Sequence, residues 1–260
     1  GKGANQAVAA ARLGADVTFI TKLGKDIFGS SAVDGFKKDK INTSHIFYDD
    51  DTPSGVALIT VDAKGENNIV VAPGANMNLS PADILGIQHL FHEHDIMLLQ
   101  LEIPLQTVEA CITVSKKFNK PVIINPAPAA QLPDEVLQNL FLITPNEHES
   151  EILTGIKITT EEDIKRAAAC LRNKGVQNVA ITLGAKGVYI LNNEIEEIIP
   201  APKVNAVDTT AAGDVFNGAL ATALAGNCSW KDAVLFANKA AAISVTRMGA
   251  QASAPYAEEI

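Results

Sequence analysis

The chain has 260 residues, with 21 Lys and Arg against 30 Asp and Glu, a formal charge of −9, and 47% hydrophobic residues. That length buries a full core, the composition is ordinary for a globular protein, and the acidic balance argues against a nucleic-acid surface, which needs a basic stripe. Cys111, Cys170 and Cys228 are far apart and form no C-x-x-C pair, no apolar run reaches membrane-spanning length, and no signal-peptide pattern opens the chain; a reducing, cytoplasmic setting without a membrane partner is expected.

Residues 4–13 are strong helix formers ended by Gly14, and Asp16–Lys22 reads as a strand through Val17, Phe19 and Ile20. Asp26–Lys40 reads as a surface helix, with Lys37, Lys38 and Lys40 in a solvated last turn. Val56–Val61 and Asn68–Val71 are β-type runs joined by the turn-rich Asp62–Asn67, a hairpin expected over residues 54–72. A helix follows Ser80, with Pro81 at its first position. Then come strand Ile96–Leu101, helix 104–118, strand Val122–Asn125, a short helix near 133–139 and strand Phe141–Thr144. Helices begin near Asn146 and at Thr160, where Asp163 completes a capping box, and the second stops at Gly175. Strand Val179–Leu183 leads to a β pair, Gly187–Leu191 and Ile195–Ile199, and Ala-rich helices follow at about 213–225 and 230–246. The alternation predicts a single α/β domain over residues 1–260, with a mostly parallel central sheet, helices on both faces and the 54–72 hairpin as a β appendage. Ligands of such sheets sit beyond the C-terminal strand ends.

The strand-end loops carry the candidate chemistry. Glu102 follows one strand, and Asn125-Pro126-Ala127-Pro128-Ala129 is a rigid loop after the next. Asn146 and Glu149 share a face of a first helical turn. They satisfy a capping box, and their oxygens equally suit Mg²⁺ held mostly through waters. Gly184-Ala185-Lys186-Gly187 permits close backbone approach, which a hairpin also requires. Most telling is the run Val207–Gly218, in which Asp208 and Asp214 bracket small residues ahead of an Ala-rich helix. The N–H groups of Ala212, Gly213 and Asp214 are expected as unpaired first-turn donors, an anion site that the small side chains at Ala211, Ala212 and Gly213 leave open. Asp214 competes for the same positive field unless it takes a proton from a hydroxyl while those donors hold the charge on a phosphate. Plain capping, with Asp208 near the N-cap and Asp214 as a dipole partner, is the alternative. Together these loops supply the parts of phosphoryl transfer. There is no P-loop, protein-kinase signature or Gly-x-Ser-x-Gly element, Gly1-Lys2-Gly3 is too short for a dinucleotide fingerprint, and His89, His92 and His94 lack metal-site spacing.

Several strings together resemble the ribokinase family of sugar and nucleoside kinases: Gly1-Lys-Gly-Ala-Asn-Gln6, Gln100-Leu-Glu102, Asn125-Pro-Ala-Pro-Ala129, Thr144-Pro-Asn-Glu147, Ile181-Thr-Leu-Gly184, Asp208-Thr-Thr-Ala-Ala-Gly-Asp214 and Gly249-Ala-Gln-x-Ser253. The resemblance implies ATP-dependent phosphorylation of the primary hydroxyl of D-ribose, giving ribose 5-phosphate. Asp214 would be the base and the backbone of Ala211, Ala212, Gly213 and Asp214 the anion hole. Gly1, Lys2, Asn5 and Glu102 would bind the sugar beside Asp214. Asn146, Thr182, Leu183, Gly184, Ala185, Lys186, Gly187, Gly213 and Asn238 would line the nucleotide. Glu149 would place Mg²⁺, through water, and Asp208, Thr210, Ser244, Arg247, Gly249 and Ser253 would form a K⁺ site, several through their carbonyls. Family members carry a further sheet strand, lid strands and a sugar-binding Asp ahead of the Gly-Lys-Gly. The resemblance therefore implies a longer natural chain, with the 54–72 hairpin as the remaining part of a lid that also makes a homodimer contact. A kinase for another sugar or nucleoside, and a non-catalytic sugar- or nucleotide-binding homologue, are the alternative readings.

Overall fold

The computed structural model describes the backbone of residues 1–61 and 67–260 and the side chains outside 58–70; residues 62–66 of the expected hairpin turn lie outside the described residues. The chain opens with α1 (Lys2–Arg12), β1 (Thr21–Gly24), α2 (Ile27–Lys38), β2 (Ile46–Asp49) and the hairpin strands β3 (Val56–Val61) and β4 (Asn67–Ala72). It continues through α3 (Pro81–Gly86), α4 (Leu90–Glu93), β5 (Met97–Leu99), α5 (Leu105–Lys117), β6 (Val122–Ile124), α6 (Asp134–Leu137), β7 (Leu142–Ile143), α7 (Glu147–Thr154) and α8 (Glu161–Asn173). The last part holds β8 (Asn178–Thr182), β9 (Val188–Leu191), β10 (Glu196–Ile199), α9 (Ala212–Ala225) and α10 (Trp230–Ser244).

The central sheet is six-stranded, in the order β10-β9-β8-β7-β6-β5. β5 to β8 run parallel, and β9 and β10 add an antiparallel edge. Both faces are covered, and the strand sequences show why. Neighbouring residues on a strand point to opposite faces, so Ile123, Leu142 and Ala180 join one apolar cluster with α1, α9 and α10 residues such as Val8, Leu220 and Ala237. Ile124, Ile143, Val179 and Ile181 join a second cluster with Val108 of α5 and Leu171 of α8. A strand buried on both sides has no polar alternation, which accounts for the continuous apolar runs.

Helix ends follow the sequence closely. Thr160 forms the expected capping box, Ser80 caps its helix as expected and does so through a capping box of its own, and Asp26 caps α2. α1 packs on α9 through Gly218, where a Cβ would lie 2.6 Å from the Gln6 carbonyl oxygen and 2.9 Å from the Ala9 Cβ. That close approach sets the first turn of α9 beside Asn5 and Gln6.

One expectation needs correction in the N-terminal part, where the structure also adds a strand. The strand expected at Asp16–Lys22 is formed at Thr21–Gly24, with only an isolated bridge from Thr18 to Asn42 ahead of it. Its partner β2, unforeseen in the sequence, pairs parallel to it, Thr21 opposite Ile46, in a separate two-stranded sheet. β3 and β4 form the expected antiparallel hairpin, Val56 opposite Ala72. Among the described residues, no helix is long and apolar enough to cross a membrane.

Candidate active site

The loops after β5, β6, β7 and β8 open on one edge of the sheet, where the N-termini of α1, α7 and α9 converge. At α1, Glu102 takes the place of a cap: its Oε2 accepts the Lys2 N–H at 2.6 Å. A Cβ at Gly1 would fall 2.5 Å from the same oxygen, so glycine there lets the carboxylate reach the helix end. Asn5, one turn on, donates from Nδ2 to Asp214 Oδ2 at 2.9 Å. Gly1, Lys2, Asn5, Glu102 and Asp214, predicted as one set, are thus together.

Asp214 is 4% exposed, in the first turn of α9. Its Oδ1 accepts from Gln6 Nε2 at 3.0 Å, so both carboxylate oxygens are held by amides of α1. The helix start itself is uncapped by any side chain, and Ala211 stands at φ 60°. A left-handed conformation costs an L-residue about 1–2 kcal/mol. It turns the chain sharply into α9 and leaves donors facing outward. Of the three expected free donors, Ala212 is corrected: its N–H donates to Thr209 O at 3.3 Å. The N–H groups of Gly213 and Asp214 have no partner among the described residues. A Cβ at Gly213 would meet nothing within 4 Å, so the approach to those donors is open.

The α7 end is built differently. Asn146 Oδ1 accepts the Glu149 N–H at 2.7 Å, and Glu149 Oε2 accepts the Asn146 N–H at 2.8 Å, a complete capping box. Glu149 is 7% exposed. Burial pushes its carboxyl above the usual carboxylate range, against the pull of the Asn146 N–H and of Lys2, while Asp214 adds to the rise. Glu149 therefore feels both the Lys2 cation and the candidate base.

The predicted nucleotide loops are only partly assembled around an open face. Asn146 bridges Thr182, and Thr182 N–H donates to Pro145 O at 2.9 Å, which joins the ends of β7 and β8. Leu183–Gly187 is a tight turn closed by Leu183 N–H to Gly187 O at 2.8 Å, with Gly184, Ala185 and Lys186 exposed. Gly187 is required by packing, since a Cβ there would lie 2.1 Å from Ile199 O. Asn238 is buried, and its amide donates to the carbonyls of Ile199 and Pro200 at 3.1 and 3.3 Å. It braces the chain leaving β10 and does not present its amide nitrogen to an open face.

The predicted cation residues come together across two loops. Asp208 accepts the N–H of Thr210 and of Gly249, each at 2.9 Å. The Thr210 hydroxyl, then the Gly249 and Thr210 N–H groups, hold its carboxyl below the usual range. Val245 O accepts the N–H of both Val207 and Asp208, at 2.7 and 3.1 Å. Ser244 and Ser253 are buried beside this clamp and donate to Ala241 O and Ala250 O. The Arg247 side chain turns away to an ion pair with Glu259.

Sequence reasoning missed a chain of hydrogen-bonded polar side chains behind Asp214. Gln6, Gln100, Thr144 and Asn217 were assigned no role, and Asn125 stood only for its loop. A signal was available: Gln6 and Asn217 are polar residues inside apolar, Ala-rich helices, and buried polar groups need partners. Two open clefts of about 410 and 530 Å³ flank the stacked Phe141 and Trp230 at the opposite strand edge, and neither contains a predicted site residue.

A buried carboxylate seated on an uncapped helix N-terminus, at the C-terminal edge of a parallel sheet, defines an α/β enzyme built for phosphoryl transfer. The comparison with known proteins makes the class specific: the chain belongs to the pfkB family of carbohydrate kinases, whose model matches residues 1–257. It is 46% identical to a ribokinase of Haemophilus influenzae over 100% of this chain and 85% of that protein. It is 41% identical to a deoxyribokinase of Salmonella typhi, again over 100% of this chain and 85% of the relative. Among solved structures, an Arabidopsis thaliana ribokinase complexed with ribose and ATP superposes with a TM-score of 0.92 at 31% identity, covering 99% of this chain and 85% of that one. The protein is a sugar kinase.

Proposed function

We propose that this kinase transfers the γ-phosphoryl group of ATP to the primary hydroxyl of D-ribose, giving ribose 5-phosphate. The observation that carries the reading is Asp214: its carboxylate is held by Asn5 from the sugar side, in a first helical turn where the N–H groups of Gly213 and Asp214 have no partner among the described residues. A hydroxyl placed against Oδ2 can give up its proton there, while the two N–H groups and the helix dipole hold the charge on the transferring phosphate. The transition state is loose, so the proton moves late and a carboxylate suffices as base. Glu102, with Oε2 on the Lys2 N–H, keeps Oε1 for a sugar hydroxyl.

The donor set fits Mg²⁺ as a loosely held partner. The described residues contain no cluster of three His, Cys, Asp or Glu groups that could grip a metal. Glu149 offers one oxygen beyond its cap, which suits an ion held mostly by waters and phosphates. Bound there, Mg²⁺ supplies charge neutralisation on the phosphates. Asp208, Thr210, Ser244, Arg247, Gly249 and Ser253 would offer oxygens to K⁺, several through their backbone carbonyls, and an ion there would stiffen the loop leading to Ala211. A homodimer through β3 and β4, and a cytoplasmic setting, belong to the same reading.

The deoxyribokinase relative favours a second substrate, 2-deoxy-D-ribose, on the same site. ADP release with ATP, Mg²⁺ and K⁺ decides between them. D-ribose is expected to give the highest kcat/KM in a panel with 2-deoxy-D-ribose, D-fructose and adenosine. A higher value for 2-deoxy-D-ribose would replace the ribose assignment, and binding without turnover of any of them would contradict the catalytic reading.

A further inference from the structure

Gln6 is 1% exposed in the first half of α1. Its Nε2 donates to Asp214 Oδ1 at 3.0 Å and to Asn125 Oδ1 at 3.1 Å, and its Oε1 accepts from Gln100 Nε2 at 2.6 Å. The orientation of this amide is fixed by chemistry, because an ionised carboxylate only accepts and the nitrogen must face it. Both Nε2 hydrogens are then used, so Asn125 must turn its oxygen to Gln6, and its nitrogen meets Thr144 O at 3.1 Å. Thr144 Oγ1 donates to Asn217 Oδ1 at 2.5 Å, and Asn217 Nδ2 donates to Gly213 O at 2.8 Å. The relay leaves the first turn of α9 at Asp214 and returns to it at Gly213, and the side chains of Gln6, Asn125, Thr144, Asn217 and Asp214 along it are buried.

We propose that Gln6 is a positioning residue for phosphoryl transfer. It holds Asp214 by Oδ1, sets the carboxylate plane against the Gly213 and Asp214 N–H groups, and reserves Oδ2 for the substrate hydroxyl. This rests on the reading of Asp214 as base. The torsion that turns a carboxylate is broad and roughly two-fold, so packing alone fixes it poorly. Two hydrogen bonds from one helix, Asn5 to Oδ2 and Gln6 to Oδ1, fix it well. Asn5 is half-buried at the mouth and can pass its amide to an incoming sugar, whereas Gln6 is fully enclosed and stays.

The test is steady-state kinetics on Gln6→Met and Gln6→Glu, alone and combined with Asp214→Asn, with folding checked by circular dichroism. Gln6→Met keeps length without a donor, and Gln6→Glu keeps shape but turns an acceptor toward the carboxylate. Each is expected to lower kcat about 10–100-fold, the scale of a small misplacement of reacting groups, with both KM values within about threefold. In the Asp214→Asn background neither is expected to lower kcat further, because the base whose orientation Gln6 sets is gone. Near-normal kcat in either folded Gln6 variant, beside an impaired Asp214→Asn, overturns the positioning role alone. Losses that add to that of Asp214→Asn overturn it as well, since they show a general structural effect. Wild-type kcat in Asp214→Asn removes the base reading itself, and the positioning role with it.

Discussion

The N-termini of α7 and α9 stand at the same edge of the sheet and are finished in opposite ways. At α7, Asn146 and Glu149 satisfy each other's backbone N–H groups, and the chain enters in an extended conformation. At α9 no side chain caps the helix, the entering residue Ala211 lies at φ 60°, and two donors stay unpaired among the described residues. Both ends carry a buried acid in the first turn, yet Glu149 folds back on its own helix while Asp214 is drawn aside by α1. A helix end satisfied by its own side chains has little left to offer a ligand. One held in a strained, uncapped state is available to bind an anion.

The largest effect should come from the open end. Asp214→Asn is expected to lower kcat about 10²–10⁴-fold, the range for loss of a general base, while ATP binding persists by calorimetry. Glu149→Gln sharpens the contrast from the other end. It keeps the bond from the Asn146 N–H but removes the charge, and the Mg²⁺ concentration for half-maximal rate is expected to rise about 10–100-fold. The same variant has a definite pH signature. Because burial raises the Glu149 carboxyl above its unfolded value, its contribution to stability is fully present below the ordinary carboxylate range and is lost as pH rises through the raised value. The Tm of Glu149→Gln relative to the parent should therefore increase as pH rises above the ordinary carboxylate range, about 4; a difference that falls with pH would contradict the cause. The smallest effects are in stability and of opposite sign. Asn146→Ala should cost about 1 kcal/mol by removing the α7 cap. Ala211→Gly should gain about 0.5 kcal/mol, as relief of the left-handed residue outweighs glycine's greater freedom when unfolded. Urea denaturation of the two variants checks both signs.

Much of this comparison was legible in the sequence, for local reasons. Caps, Ala-rich helices and the Asp208–Asp214 run are written in neighbouring residues, so Ser80, Asn146, Thr160 and the start of α9 could be read directly. β2 was not, because Tyr48 is followed by Asp49-Asp50-Asp51, which reads as a turn, and the strand's parallel partner begins at Thr21. The amide relay was illegible for the same reason on a larger scale: Gln6 meets Asp214 only after α1 and α9 have packed at Gly218. Asn238 entered the set by resemblance alone, and its amide nitrogen bonds the carbonyls of Ile199 and Pro200, a contact that no motif around it specifies.

The most direct measurement is the backbone amide spectrum of Gly213, Asp214, Asn146 and Glu149 in isotope-labelled kinase, with and without ADP, Mg²⁺, aluminium fluoride and D-ribose. An uncapped N-terminus that holds the transferring phosphate predicts large downfield shifts for Gly213 and Asp214, with Asn146 and Glu149 amides nearly unmoved in their capping box. Large shifts at α7 with none at α9 would contradict the account.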